Sequence, residues 1–375
     1  MKVGIDTFGC DHGRSGIGSY LHSFTANLPQ LKNMEFELFG SEIDRYTYNS
    51  ASEIPFKAVQ VPDSLGAERF WHYFKLNTFV SSAGYDAVLY PAIERVLPLT
   101  FRTPGVAVVN SIISNTLRED RDWALRMQVK KGLLKAQKII APSQFVRKDL
   151  VRCGADPDKI EVVHNGIDHR LFFPQMQIDA ETLNIKPFAI KRPYFIYGSR
   201  LAGPDKKHIE LIKAFVLFKE RTHLPHRLVL AGAEGPYSEE VHKAAFQSSA
   251  ASDIFLTGFF PHDSFPLLYA GADACIFPSV NEGVGLPVLE AMATGIPVAC
   301  SKAGALPEMG GPAALYFDPG SIEEIAAAME KIVTDSALRE KMIVEGIDWT
   351  KRFSWVNTVN MTLEVMKSVV KTRTK

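Results

Sequence analysis

Short β-branched runs alternate with longer helical stretches along almost the whole chain, and the alternation is interrupted once. In the first half the strand-like runs are "KVGID", "FELFG", "AVLY", "GVAVV", "KIIAPS" and "IEVVHNG". In the second half they are "YFIYGSR", "HRLVLAG", "IFLTG", "ACIFPS", "IPVAC" and "ALYF". Helical patterns such as "IELIKAFVLFKERT" and "SFPLLYAGA" lie between them. A strand that can continue only through a helix cannot pair with its successor as a hairpin, so the pattern predicts parallel sheets covered by helices, an α/β fold. The interruption, "GIDHRLFFPQMQIDAETLNIKP", holds Pro174 and Pro187 and has weak periodicity, which places a boundary near residues 172 and 173. Two doubly wound, Rossmann-like domains facing a central cleft are expected, with ligands at the carboxyl ends of the strands.

A length of 375 residues fits two domains of ordinary size. Lysine plus arginine and aspartate plus glutamate each number 42, so the net charge of zero gives no broad surface for nucleic acid. The cysteines Cys10, Cys153, Cys275 and Cys300 form no CxxC pair, so neither a disulfide framework nor a zinc site is read, and a reducing, cytoplasmic setting is expected. The start, "MKVGIDTFGC", reads as a strand and not as a signal peptide. No run reaches the ~18 unbroken apolar residues of a membrane span. One segment, 126–138, carries Arg126, Lys130, Lys131, Lys135 and Lys138 without an acid. It is either a solvated helix face or a peripheral contact with anionic lipid or a phosphorylated acceptor.

Three loops carry candidate chemistry. In "NEGVGLPVLEAMATGIP", a strand leads through Gly283 and Gly285 into a helix that Leu286 and Pro287 open and Gly295 stops. Glycines let the backbone approach a ligand, and unpaired N–H groups at a helix start favour phosphate. Glu282 precedes the helix and Glu290 lies one turn inside it. Each suits the hydroxyls of a ribose or hexose, although one glutamate alone could serve only the helix dipole. In "GSRLAGPDKK", Arg200 and Lys206 follow a strand and could neutralise a diphosphate without a metal, or stand in a solvated turn. In "GRSGIGSY", Gly16 and Gly18 precede a helix expected near Ser19. The order is not GxGxxG, because Leu21 stands at the third position, so the turn is only a weak dinucleotide signal. His12, His72 and His164 form no metal spacing and are read as structural unless they line the cleft. There is no GxSxG elbow and no Walker loop.

Together these segments resemble the family-4 retaining glycosyltransferases of the GT-B fold. The strongest part is "FPSVNEGVGLPVLEAMATGIPVACS", which matches the family's E-x7-E signature through Glu282 and Glu290. "GIGSY", "APSQFVRKDL", "VVHNGID", "GSRLAGPDKKHIELIKAF", "FLTGFFPHDSFPLLYAGAD" and "SKAGALPEMGGPAALYFDP" add to it. The resemblance implies transfer of a hexose, mannose or glucose type, from a UDP-, GDP- or ADP-sugar to an acceptor hydroxyl of a growing glycan or glycolipid. Lipopolysaccharide or capsule biosynthesis is the expected setting. It implies Glu290 on the ribose, Glu282 on the donor sugar, and Arg200 and Lys206 on the diphosphate. The backbone of Gly283, Gly285 and Leu286 would meet sugar and phosphate, and Gly16 would line the donor pocket from the first domain. No cofactor or metal is implied. The last helix, "WVNTVNMTLEVMKSVVK", would cross back, giving an acceptor domain of 1–172 with 357–375 and a donor domain of 173–356.

Two positions depart from the family pattern. Val284 stands where many relatives have Phe. Asn110 and Ser111, in "GVAVVNSIISN", stand where many have His-Asp, so the acceptor-side candidate Asn110 can hydrogen-bond a sugar but cannot act as a base. A second reading is therefore a catalytically weak or inactive binding subunit. A third is an epimerase or a phosphorylase of similar build.

Overall fold

The structure is a computed structural model that describes residues 1–49, 54–118, 122–175, 181–185 and 187–371. The chain divides into two compact units, Met1–Gly166 with Phe353–Lys375, and Ile167–Arg352. Both are α/β units built on a parallel sheet, as the alternation predicts.

The first unit contains β1 (Lys2–Asp6), β2 (Glu35–Gly40), β3 (Phe56–Ala58), β4 (Ala87–Tyr90), β5 (Gly105–Val108), β6 (Lys138–Ala141) and β7 (Ile160–Val162). They lie in the order β3-β2-β1-β4-β5-β6-β7. Strands β4 and β5 are buried at every residue, which fits near-continuous apolar runs in a sheet covered on both faces. The C-terminal helix Trp355–Lys371 belongs to this unit. Its Trp355, Val359, Leu363, Met366 and Val369 recur at helical spacing and join the core of Val3, Ile5, Leu21 and Leu89. The helix start is pinned where Thr358 Oγ1 donates to the His164 carbonyl at 2.8 Å.

The second unit begins with an antiparallel hairpin, β8 (Thr182–Ile185) and β9 (Phe188–Lys191), which the sequence pattern did not reveal. Its main sheet holds β10 (Tyr194–Gly198), β11 (Arg227–Ala231), β12 (Ile254–Gly258), β13 (Ala274–Phe277), β14 (Val298–Ser301) and β15 (Leu315–Phe317). The order is β12-β11-β10-β13-β14-β15. In each sheet the strand order reverses beside one strand, β1 against β4 and β10 against β13. Such switch points are where loops diverge and leave a crevice at the carboxyl ends.

The helix Leu286–Ala293 is buried at every residue from Val288 onward, not along one stripe as its pattern implied. It passes through the interior, with each large apolar side chain contributing about 1.5–3 kcal/mol of burial. All four cysteines are free, and Cys10, Cys275 and Cys300 are buried.

Candidate active site

At the switch point of the second sheet, the loops after β10 and β13 carry most of the residues singled out from the sequence. The first is braced from below. Tyr197, buried in β10, donates its hydroxyl to the Lys206 carbonyl at 2.7 Å, and its ring packs against His208 at 4.8 Å. The loop tightens into a short 3-10 turn, Pro204–Lys206, and Lys207 then takes a left-handed conformation, φ 60°. Such a conformation costs a non-glycine residue about 1–2 kcal/mol and persists only where its surroundings impose it.

The second loop is stitched to the first. Val280 N donates to the Asp205 carbonyl at 2.9 Å. Ser301 Oγ holds the Ser279 carbonyl at 2.7 Å, and Ala305 N donates to the Glu282 carbonyl at 2.9 Å. These bonds bring Lys206 Nζ to 2.5 Å from Glu282 Oε1, between residues 76 positions apart. Both side chains are largely buried, so solvent screens the pair less than a surface ion pair. Arg200 is exposed on the same loop, and its Nε donates to the Glu234 carbonyl at 3.2 Å.

Beyond Glu282 the backbone turns through Gly285 at φ 73°, a left-handed N-cap that a side chain would strain. Leu286 then opens the helix, and its first N–H groups have no side-chain cap. Glu290, one turn in, is buried. Its Oε1 meets His262 Nε2 at 3.3 Å, and the His262 ring stands edge-on to Phe172 at 5.4 Å between centroids. The hydrogen bond to Glu290 holds the His262 pKa above the usual histidine range. Sequence reasoning passed over His262. It follows β12, and only the folded sheet brings it to a glutamate 28 positions away.

In the first unit Gly16 and Gly18 are not in the turn expected before the helix. They lie in its first turn, because Ser15 caps the helix Gly16–Ala26 by accepting from Gly18 N at 3.3 Å. The turn itself is made by Gly9, Asp11, His12 and Gly13, all at positive φ. Gly16 faces open space. At Gly18 a Cβ would collide with the Cys10 carbonyl oxygen, so that glycine serves the packing of the turn.

His12 fastens the turn between Asp44, 2.7 Å from Nδ1, and Asp63, 3.2 Å from Nε2. Burial lowers its pKa, but these bonds outweigh burial and leave it raised. His72 is fully buried between the Glu68 carbonyl and Asp6, each at 2.7 Å, and is structural. The His164 ring stands edge-on to Phe353 at 5.4 Å.

Asn110 follows β5. Its N–H donates to Glu94 Oε1 at 2.9 Å, and its Oδ1 accepts from Asn165 at 3.2 Å. Among the described residues its Nδ2 has no hydrogen-bond partner. Burial pushes the Glu94 carboxyl above its usual range, against hydrogen bonds from its own backbone, Asn110 and Ser111. Sequence reasoning missed Glu94 as well. It lies in "YPAIERV", which carries no motif.

The basic segment divides. The helix Trp123–Lys135 ends before Lys138, which starts β6 and pairs with Glu161 at 2.7 Å. Lys138 therefore does not extend the helical face. Among the described residues no cluster of three or more His, Cys, Asp or Glu could hold a metal ion, and no helix is long and apolar enough to cross a membrane.

Two α/β units, each on a parallel sheet with a switch point in its strand order, are the architecture of the GT-B glycosyltransferases. The family models agree with it in both halves. The Glycosyltransferase Family 4 model matches residues 14–171, and the Glycosyl transferases group 1 model matches residues 180–349. The chain belongs to this family.

It is 28% identical to the O-antigen chain mannosyltransferase B of Escherichia coli over 66% of this chain and 65% of that protein. It is 26% identical to the sulfoquinovosyl transferase SQD2 of Arabidopsis thaliana over 58% of this chain and 41% of that one. The chain thus spans less than two thirds of these relatives. The fold matches sucrose-phosphate synthase from Thermosynechococcus elongatus with a TM-score of 0.75 at 16% identity, covering 99% of this chain and 100% of that one. It matches Anabaena Alr3699/HepE, in complex with UDP and glucose, with a TM-score of 0.73 at 20% identity, covering 98% and 99%.

Proposed function

We propose that the chain transfers a hexose from a nucleotide diphosphate sugar to an acceptor hydroxyl of a growing glycan or glycolipid, with retention and without a metal. The observation that carries this reading is the Lys206–Glu282 pair at 2.5 Å beside the start of the helix Leu286–Ala293. A cation, a carboxylate and a helix start without a side-chain cap, within one stitched pair of loops, match a leaving diphosphate and the sugar it releases. The relationship to an O-antigen chain mannosyltransferase supports a mannose- or glucose-type hexose and a polysaccharide acceptor.

In this reading the incoming diphosphate draws Lys206 from Glu282, and Arg200 and the N–H groups of Gly285 and Leu286 share the charge. Glu282 turns to the donor sugar, and Glu290 accepts ribose hydroxyls. As the bond from the anomeric carbon to the phosphate oxygen breaks, its electron pair stays on the diphosphate. The acceptor oxygen bonds to the same face of the carbon, and its proton passes to the departing phosphate oxygen. Asn110 needs only to hydrogen-bond, which its side chain can do.

A panel of UDP-, GDP- and ADP-sugars tests the reading, scored by thermal shift and by slow donor hydrolysis, because a ligand of the folded state raises apparent stability. At least one donor should stabilise the chain and be turned over. Stabilisation without turnover would favour the second reading, an inactive binding subunit, for which Asn110 and Ser111 are the motive. Turnover that requires added phosphate would indicate a phosphorylase.

A further inference from the structure

The loops beyond β2 and β3 line a cavity of about 620 Å³ at the carboxyl edge of the first sheet. That volume lies within the range of small-ligand sites. One wall is Ser41 and Glu42, which follow β2. The other is 58–62, the end of β3 and the stretch after it, with Val59, Gln60, Val61 and Pro62.

The two walls are tied together in three places. Val59 N donates to the Gly40 carbonyl at 2.8 Å. Arg45 donates to both carboxylate oxygens of Glu42, at 2.6 and 3.2 Å, while its guanidinium lies over the Phe56 ring of β3, 5.2 Å from the centroid. His12 reaches both sides, through Asp44 just beyond Glu42 and Asp63 just beyond Pro62. It does so from a left-handed backbone, φ 49°, which a non-glycine residue keeps only where its surroundings impose it. The cavity is therefore held in shape in advance, and a ligand need order little on binding.

The lining selects the occupant. Glu42 is the one charged residue among the described residues that line the cavity, and Arg45 pairs with it, so nothing in the lining attracts an anion. A carboxylate has about four lone-pair sites, of which Arg45 takes two, and the rest accept hydroxyls. Ser41 adds a hydroxyl, and Gln60 an amide that both donates and accepts. Val59, Val61 and Pro62 offer apolar surface. A neutral sugar, hydroxyl-rich at its rim and apolar on its ring face, meets both kinds of wall. In the order β2-β1-β4-β5, three strand spacings separate β2 from β5, which leads to Asn110; that is about 15 Å. A sugar unit in the cavity would stand well back from one beside Asn110.

We infer that this cavity binds a neutral oligosaccharide stretch of the acceptor, the units already in place behind the hydroxyl that is extended. Its role as an acceptor subsite rests on the proposed transfer; the binding itself does not. In the first experiment the full chain, without sugar nucleotide, is titrated with mannose and glucose oligosaccharides of increasing length, α- and β-linked, and binding is read by saturation-transfer NMR and calorimetry. Affinity should rise with length. Gln60→Ala should weaken binding about three- to tenfold, and Val61→Arg, which fills the cavity, by more. Gln60 is exposed and Val61 half-buried, so both variants should keep the wild-type circular dichroism and melting temperature. In the second experiment, with a donor that is turned over, acceptor KM should fall as the acceptor lengthens, and both variants should erase that advantage.

Absence of binding by every one of these oligosaccharides, or binding that both folded variants leave unchanged, would overturn the inference. So would a preference for phosphorylated over neutral sugars, or a length dependence of KM that survives both variants. Self-association that the variants abolish would also overturn it, because the edge strand β3 would then pair with a second copy of the chain. Failure of the transfer reading looks different: no donor is turned over, and the first experiment still decides whether the cavity binds sugar.

Discussion

At the switch point of the second sheet, the loops after β10 and β13 bring a lysine and a glutamate together at 2.5 Å beside an uncapped helix start. At that of the first sheet, carboxylates drawn from several elements turn inward onto the loops beyond β1, β4 and β5. Asp44, Glu68 and Glu94 are buried on backbone N–H groups, a threonine and a histidine that hold the loops in shape. The same strand order therefore supports two uses of charge. One loop pair is braced so that Lys206 of the first loop meets Glu282 of the second. The other spends its carboxylates on bracing and leaves neutral donors and acceptors, Asn110 among them, at the strand ends. Under the proposed function, the second unit would take the anionic donor and the first the hydroxyl-rich acceptor.

The comparison breaks most readily at the ion pair. Glu282→Ala and Lys206→Ala should each abolish detectable transfer, a loss of roughly a hundredfold or more in kcat. Wild-type-like turnover by either would remove the pair from the reaction. Glu290→Ala comes next. It should weaken donor binding by about tenfold, as calorimetry would read, since a hydrogen bond to a charged group contributes about 1.5–3 kcal/mol. Unchanged affinity would detach this glutamate from the ribose.

A smaller effect belongs to His262. Its pKa is raised in the folded chain by Glu290, so the protonated pair stabilises fully below the unfolded histidine pKa of about 6.5 and is lost as pH rises through the folded value. The melting temperature should carry a fall in that window that His262→Ala removes. An identical pH profile in the variant would mean that the contact has no energetic weight.

Glu94→Gln probes the other side. Burial raises this carboxyl, so the native state holds a proton that the unfolded chain releases near pH 4.3, and stability falls as pH rises from about there to the folded pKa. The glutamine variant should lack that fall while its carbonyl still accepts from Asn110 N. A steeper dependence would show that Glu94 is stabilised as an anion. The smallest effect is expected from a chelator: transfer should be unchanged, whereas loss restored by a divalent cation would show that Arg200 and Lys206 do not suffice for the diphosphate.

How far the site could be read in advance depended on where each residue gets its environment. Gly285, Leu286 and Glu290 stand within one strand–loop–helix unit, so local pattern was enough to place them together. Lys206 and Glu282 were named from separate loops, but their contact depends on Val280 and Asp205, which no local pattern connects. Gly16 and Gly18 were named, yet the turn was misplaced by several residues because Ser15 caps the helix early. His262 and Glu94 left no trace, since each becomes notable only through a neighbour that a different strand supplies.

The sequence by itself determined the two parallel α/β units, through strand runs apolar on both faces and the helices that must separate them, and it determined the family through the spacing of Glu282 and Glu290. Tertiary structure alone decided that Glu290 answers to His262, that the carboxylates of the first unit serve as braces, and that Arg69 reaches Asp122 at the start of another helix. The physical reason is one of range. Hydrophobic periodicity and turn chemistry act within a few residues, whereas the pairing, charge and exposure of a side chain are set by whatever the sheet order lays beside it.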